Sequence, residues 1–123
     1  MDWCDEALAR FCQGLGVELS ESDRSLITLQ FEQVGILQIE RHEAKLTLWL
    51  VLEVPGYDAA KMIERALRLT YSAMAPALPL RCGWVGQSEL LLFITLAVAQ
   101  ITLPTLQQAY QTLLAARHQV LDR

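Results

Sequence analysis

Two stretches of this chain are too apolar to lie in a sheet with one wet face. One reads Leu46-Thr47-Leu48-Trp49-Leu50-Val51-Leu52, the other Leu90-Leu91-Leu92-Phe93-Ile94-Thr95-Leu96. A strand with one face in water alternates apolar and polar residues, whereas one covered on both faces reads as a near-continuous apolar run. Both faces of these two strands therefore seek cover. A chain of 123 residues has few layers with which to supply it. A second chain or a bound client is the simplest source of what is missing.

Composition points the same way. The hydrophobic set is 53% of the chain, yet the net charge is −4. Mean hydropathy is +0.26 and the pI is near 5.1. An acidic chain with surplus apolar surface places that surface in an interface. The acidic balance argues against nucleic acid, which selects basic surfaces. The length fits a single domain that buries roughly two-thirds of its unfolded surface. No apolar run approaches the ~18–20 residues of a membrane span. The start Met1-Asp2-Trp3-Cys4-Asp5-Glu6 is the opposite of a basic signal peptide. The expected location is the cytoplasm. Cys4, Cys12 and Cys82 have no C-x-x-C spacing. On one helix Cys4 and Cys12 stand ~12 Å apart, too far to bridge, so buried reduced thiols are expected.

Periodicity predicts the elements. A first helix runs from Asp2 to about Gln13, with Trp3, Ala7, Leu8, Phe11 and Cys12 on one side and stops at Gly14 and Gly16. Glu18 to Ser25 is an acidic loop. Ser25–Glu32, Gly35–Glu40 and Lys45–Leu52 follow as strands joined by hairpins. In the third strand Leu46, Leu48, Leu50 and Leu52 suit the core, while Trp49 and Val51 point the other way. Asp58 can cap a second helix reaching about Ala75. Its apolar arc is wide, with Met62 and Leu69 flanking an Ile63–Leu67–Thr70 stripe, and a wide arc touches two surfaces. Leu80–Val85 and Glu89–Leu96 form a hairpin. Thr102 can cap a last helix with Pro104 in its first turn. The expected fold is α+β, a single domain over residues 1–123 ordered α-β-β-β-α-β-β-α, with an antiparallel five-stranded sheet.

The catalytic inventory is thin. His42 falls in a hairpin turn and His118 near the end of the last helix, without partners at metal-ligand spacing beyond Glu43. Gly86-Gln87-Ser88-Glu89 lacks the second glycine of a nucleophile elbow. Neither a Walker-A loop nor G-x-G-x-x-G occurs. Catalytic, cofactor and metal sites are therefore none, and no enzyme activity is expected. The acidic loop Glu18, Glu21 and Asp23 reads as a solvated segment or as a contact for a basic partner. Trp49 and Trp84 serve equally as core residues or as anchors for a partner, since Trp is enriched at interface hot spots.

The order of elements, the size and the acidity resemble class I type III secretion chaperones. Phe11-Cys12-Gln13-Gly14-Leu15-Gly16, Gly35-Ile36-Leu37-Gln38-Ile39-Glu40, Leu46-Thr47-Leu48-Trp49-Leu50, Ala77-Leu78-Pro79-Leu80-Arg81-Cys82-Gly83-Trp84 and Thr102-Leu103-Pro104 resemble the SycN-like branch nearly end to end. The resemblance implies a subunit that pairs with a YscB-like chaperone. Together the two would hold the N-terminal segment of a YopN-like gatekeeper and help regulate effector secretion, a virulence function. It implies no cofactor. It adds a peripheral place at the secretion apparatus on the inner membrane as an alternative to the free cytoplasm.

On the residues, the chain–chain contact is expected at Met62, Ala66, Leu69 and Ala73 of the second helix with Trp84 beside them. Leu69→Asp should then separate the subunits. The client contact is expected at Phe11, Leu15, Val17, Ile36 and Trp49, where an extended client could also add a strand to a sheet edge. The rival readings are a homodimeric adaptor that binds a folded partner and a small-molecule site, which would need convergent polar groups.

Overall fold

The computed structural model of the chain describes residues 3–17, 26–31, 35–71, 79–86 and 88–121. The elements are α1 (Trp3–Gly14), β1 (Leu26–Phe31), β2 (Gly35–His42), β3 (Lys45–Glu53), α2 (Ala59–Tyr71), β4 (Leu80–Val85), β5 (Glu89–Ala97), a 3-10 turn (Val98–Gln100) and α3 (Leu103–Leu121). The five strands form one sheet in the order β1-β2-β3-β5-β4, with every neighbouring pair antiparallel. The α+β architecture and the element order are those expected. The acidic segment 18–25, the β1–β2 connection and Ala73 lie outside the described residues.

Local chemistry accounts for the ends of the elements. After α1 the Val17 N–H donates to the Cys12 carbonyl (2.9 Å) and the Gly16 N–H to that of Gln13 (3.0 Å). Gly16 has φ +85°. This is a Schellman stop, which glycine adopts without a Cβ penalty. At the start of α3 the Thr105 N–H donates to Thr102 Oγ1 (3.2 Å) and the Leu106 N–H to the Thr102 carbonyl (3.0 Å), so Thr102 is the cap its position predicts. The Asp58 carbonyl opens α2 by accepting from the Met62 N–H (3.1 Å).

The two over-apolar strands, β3 and β5, lie side by side in the middle of the sheet. Their register sets Leu46, Leu48, Leu50 and Leu52 beside Leu96, Ile94, Leu92 and Leu90, and all eight are buried. Ile27 and Leu29 of β1, Leu37 and Ile39 of β2, and Leu80 of β4 extend the same face. Each such side chain contributes about 1.5–3 kcal/mol by leaving water. All three helices cover this one face. Leu8, Phe11 and Cys12 come from α1, Ala66 from α2, and Leu106, Tyr110, Leu113 and Val120 from α3. Phe11 meets Tyr110 edge-to-face at 5.8 Å. α3 is the spine, touching α1, α2, β3 and β5. The Asp5–Arg41 ion pair (2.9 Å) ties α1 to β2, and Arg65 Nη1 donates to the Val120 carbonyl (3.1 Å) to tie α2 to the end of α3.

Candidate protein-binding surfaces

With every helix on one side, the other face of the sheet carries no helix among the described residues. Strand register maps it in rows. One row is Thr28, Gln38, Trp49, Phe93 and Arg81; the next is Gln30, Ile36, Val51, Leu91 and Gly83. The middle of the face is apolar: Ile36, Trp49, Val51, Leu91 and Phe93 are each half-buried, with no second layer over them among the described residues. The Trp49 and Phe93 rings pack at 4.4 Å, and the Thr47 and Thr95 hydroxyls bond at 2.9 Å in the adjoining row. Trp49 Nε1 is buried and has no hydrogen-bond partner among the described residues. At one end of the face Glu53 and Glu89 stand directly opposite each other. They line a cleft of about 630 Å³ with Ile36, Val51 and Arg117. Lys45 lies at the other end, and Arg81 in the row that Trp49 occupies.

A second uncovered surface lies on α2. Met62 and Leu69 pack against the chain's own core, and Ala66 is fully covered. Leu67, by contrast, is 43% exposed, and Ile63, one turn away, is half-buried. The helix is thus rotated from the arrangement its pattern suggested. The supposed flank faces inward, and the supposed centre of the stripe forms the outer edge of the apolar arc.

The residues expected to bind partners are distributed accordingly. Trp84 lies on the helix-covered side of β4 and packs against the core. Ile36 and Trp49 share the open sheet face. Phe11 is buried against Tyr110, and Leu15 and Val17 pack at the end of α1 on the opposite side of the sheet. Those five residues do not form one surface. Phe11 and Ala66 are covered within the chain, which removes both side chains from an exposed contact. Phe93 and Leu91 join Trp49 and Val51 on this face, which the sequence reading did not foresee; the apolar odd positions of β5 were the signal, and only the strand pairing joined them.

The described residues offer little for chemistry on a substrate. Burial pushes the Cys12 thiol up from its ordinary value near 9 to about 11, which leaves it a neutral core group at physiological pH. Burial also raises the Tyr110 phenol. No group of three or more His, Cys, Asp or Glu side chains able to hold a metal occurs among the described residues. His42 and His118 are exposed. No described helix is long and apolar enough to cross a membrane.

Known proteins share this sequence and architecture. The family profile of the type III secretory system chaperone SycN matches residues 3–121. The chain belongs to that family. It is 42% identical over 121 residues to the chaperone protein SycN of Yersinia pseudotuberculosis, covering 98% of both chains. It is 41% identical over the same length to SycN of Yersinia enterocolitica, again covering 98% of each. The function that follows from this membership is that of a type III secretion chaperone, which is not an enzyme class. Among solved structures, the Yersinia pestis chaperone SycH, in complex with a fragment of YscM2, superposes with a TM-score of 0.68 at 15% identity, over 94% of this chain and 98% of that one. A chain of the ExsC–ExsE complex gives 0.62 at 20% identity, over 94% and 90%. A chain of the Pseudomonas aeruginosa ExoU–SpcU complex gives 0.64 at 18% identity, over 85% and 86%. At these identities the likeness establishes the fold.

Proposed function

We propose that this chain is one subunit of a heterodimeric chaperone, paired with a YscB-like chain, and that the pair holds the N-terminal segment of a YopN-like gatekeeper in an export-competent state. The observation that carries the reading is the sheet face bearing Ile36, Trp49, Val51, Leu91 and Phe93, which has no covering helix among the described residues. It is the platform for the client. The outer edge of α2, with Leu67 and Ile63, is the subunit contact. This assignment keeps both expected partners and keeps Ile36, Trp49 and the second helix, but shifts the contacting side chains to those the fold leaves uncovered. Neighbours of this fold solved as complexes with other proteins support a protein as the ligand. Location in the cytoplasm or at the secretion apparatus belongs to the same reading.

The physical logic is one of shared cover. Ordering an unfolded client costs roughly 1–2 kcal/mol per residue in backbone entropy, so the platform must offer broad apolar area. Such a client remains unfolded and can enter a narrow export channel. Co-expression of the chain with neighbouring secretion gene products, followed by native mass measurement, tests the assembly. The expected result is a complex of one copy of this chain with one of a different small acidic chaperone, with or without client. Recovery solely as a self-sufficient homodimer bound to a folded protein would overturn it in favour of an adaptor role.

A further inference from the structure

Trp49 stands in the middle of the open sheet face, packed on Phe93 at 4.4 Å with the ring planes 33° apart. The residue is half-buried, with no second layer over it among the described residues. Its Nε1, by contrast, is buried and has no hydrogen-bond partner among them, and no other described side-chain nitrogen or oxygen is left so. Gln38 stands directly opposite on β2 and does not accept from it. An indole N–H is a donor only, and a buried donor without an acceptor is rare in folded proteins and costs stability. Apolar packing alone would be served at this position by phenylalanine, without that cost.

From these observations, an uncovered apolar face and an orphaned donor at its centre, we infer that Trp49 is the polar anchor of the platform: its N–H donates to a main-chain carbonyl of the seated client. The inference rests on that face being the client platform. The donor also selects the kind of polypeptide. An extended segment outside any sheet carries an unpaired carbonyl at every residue. A helix, or the face of another sheet, has its carbonyls engaged in its own hydrogen bonds. The extended segment is therefore the occupant that gains a bond here, and one of its carbonyls is spared burial without a partner. Because Nε1 is covered in the free chain, docking turns the indole about its side-chain bonds until the N–H meets the carbonyl.

The test uses the purified chaperone complex, with the N-terminal segment of the gatekeeper as probe. Indole N–H signals are followed by NMR, and the Trp49→Phe variant identifies the one from Trp49. Adding the probe should move that signal downfield. Replacement of Trp49 by naphthylalanine keeps a fused ring pair and removes the N–H. Folding stability should then be unchanged or higher, while affinity for the probe should fall about three- to tenfold. A loss of stability without a loss of affinity would make Trp49 a packing residue and refute the anchor. Leu91→Asp, with folding checked by circular dichroism, separates the two claims. If Leu91→Asp abolishes binding while the naphthylalanine variant binds as before and the Trp49 signal stays in place, the platform stands and the anchor is refuted. If neither substitution affects binding, the platform itself is refuted.

Discussion

Gly35 shows how a single position in the sheet can require glycine. It opens β2 with φ +108°, a left-handed conformation that side chains resist. A Cβ there would also lie 2.9 Å from the Val51 carbonyl oxygen. That oxygen belongs to the β3 backbone and cannot swing aside. Gly35→Ala is therefore expected to destabilise the fold by about 1–3 kcal/mol. Urea unfolding of the purified complex would measure it, and an unchanged midpoint would contradict the account. Cys12 illustrates the opposite case: its burial and raised thiol pKa are packing consequences, and its inertness follows from them.

Among the elements, α2 carries the proposed subunit contact. Its inner side, Met62, Ala66 and Leu69, packs on the chain's own core, and its outer edge carries Leu67. The two leucines should respond differently to the same substitution. Leu67→Asp should leave a folded subunit, shown by unaltered circular dichroism, that sediments as a separated species. Leu69→Asp places a carboxylate against apolar neighbours and should cost folding stability on the order of 2 kcal/mol or more. Subunit separation by Leu69→Asp with no loss of stability would mean that α2 is turned the other way. The helix pattern made the width of the apolar arc legible but not its rotation. Hydrophobic periodicity records that both sides are apolar, and the identity of the neighbour on each side is not a local property.

At the scale of the whole molecule, the described residues form two layers, three helices on one face of five strands. Among those residues the other face of the sheet has no covering layer, which suits a protein whose function is to supply a surface. A client lying on the open face should stay extended. Hydrogen exchange on the bound client should show protection confined to a short apolar segment. Protection spanning a globular core would place the binding of a folded protein ahead of the chaperone reading. The edge strands β1 and β4 are six residues each, and their ends carry the exposed Leu26 and Val85. Short edges of this kind limit unwanted pairing between sheets, while leaving room for a client strand.

The sequence by itself determined the elements and their order. Alternation in β1 and β2, the Schellman glycine after α1, the Thr102 cap and the turn at Gly86 act over a few residues, and their signals are complete within those residues. It also determined that Trp49 and Val51 point away from the core face, because strand geometry forces alternation. The tertiary structure alone decided that all three helices cover the same face, that Phe11 and Ala66 are enclosed, that α2 turns Leu67 outward, and that Glu53 faces Glu89. Each of these depends on contacts between residues far apart in the chain. An apolar side chain has the same local signature whether its cover comes from its own chain or from another.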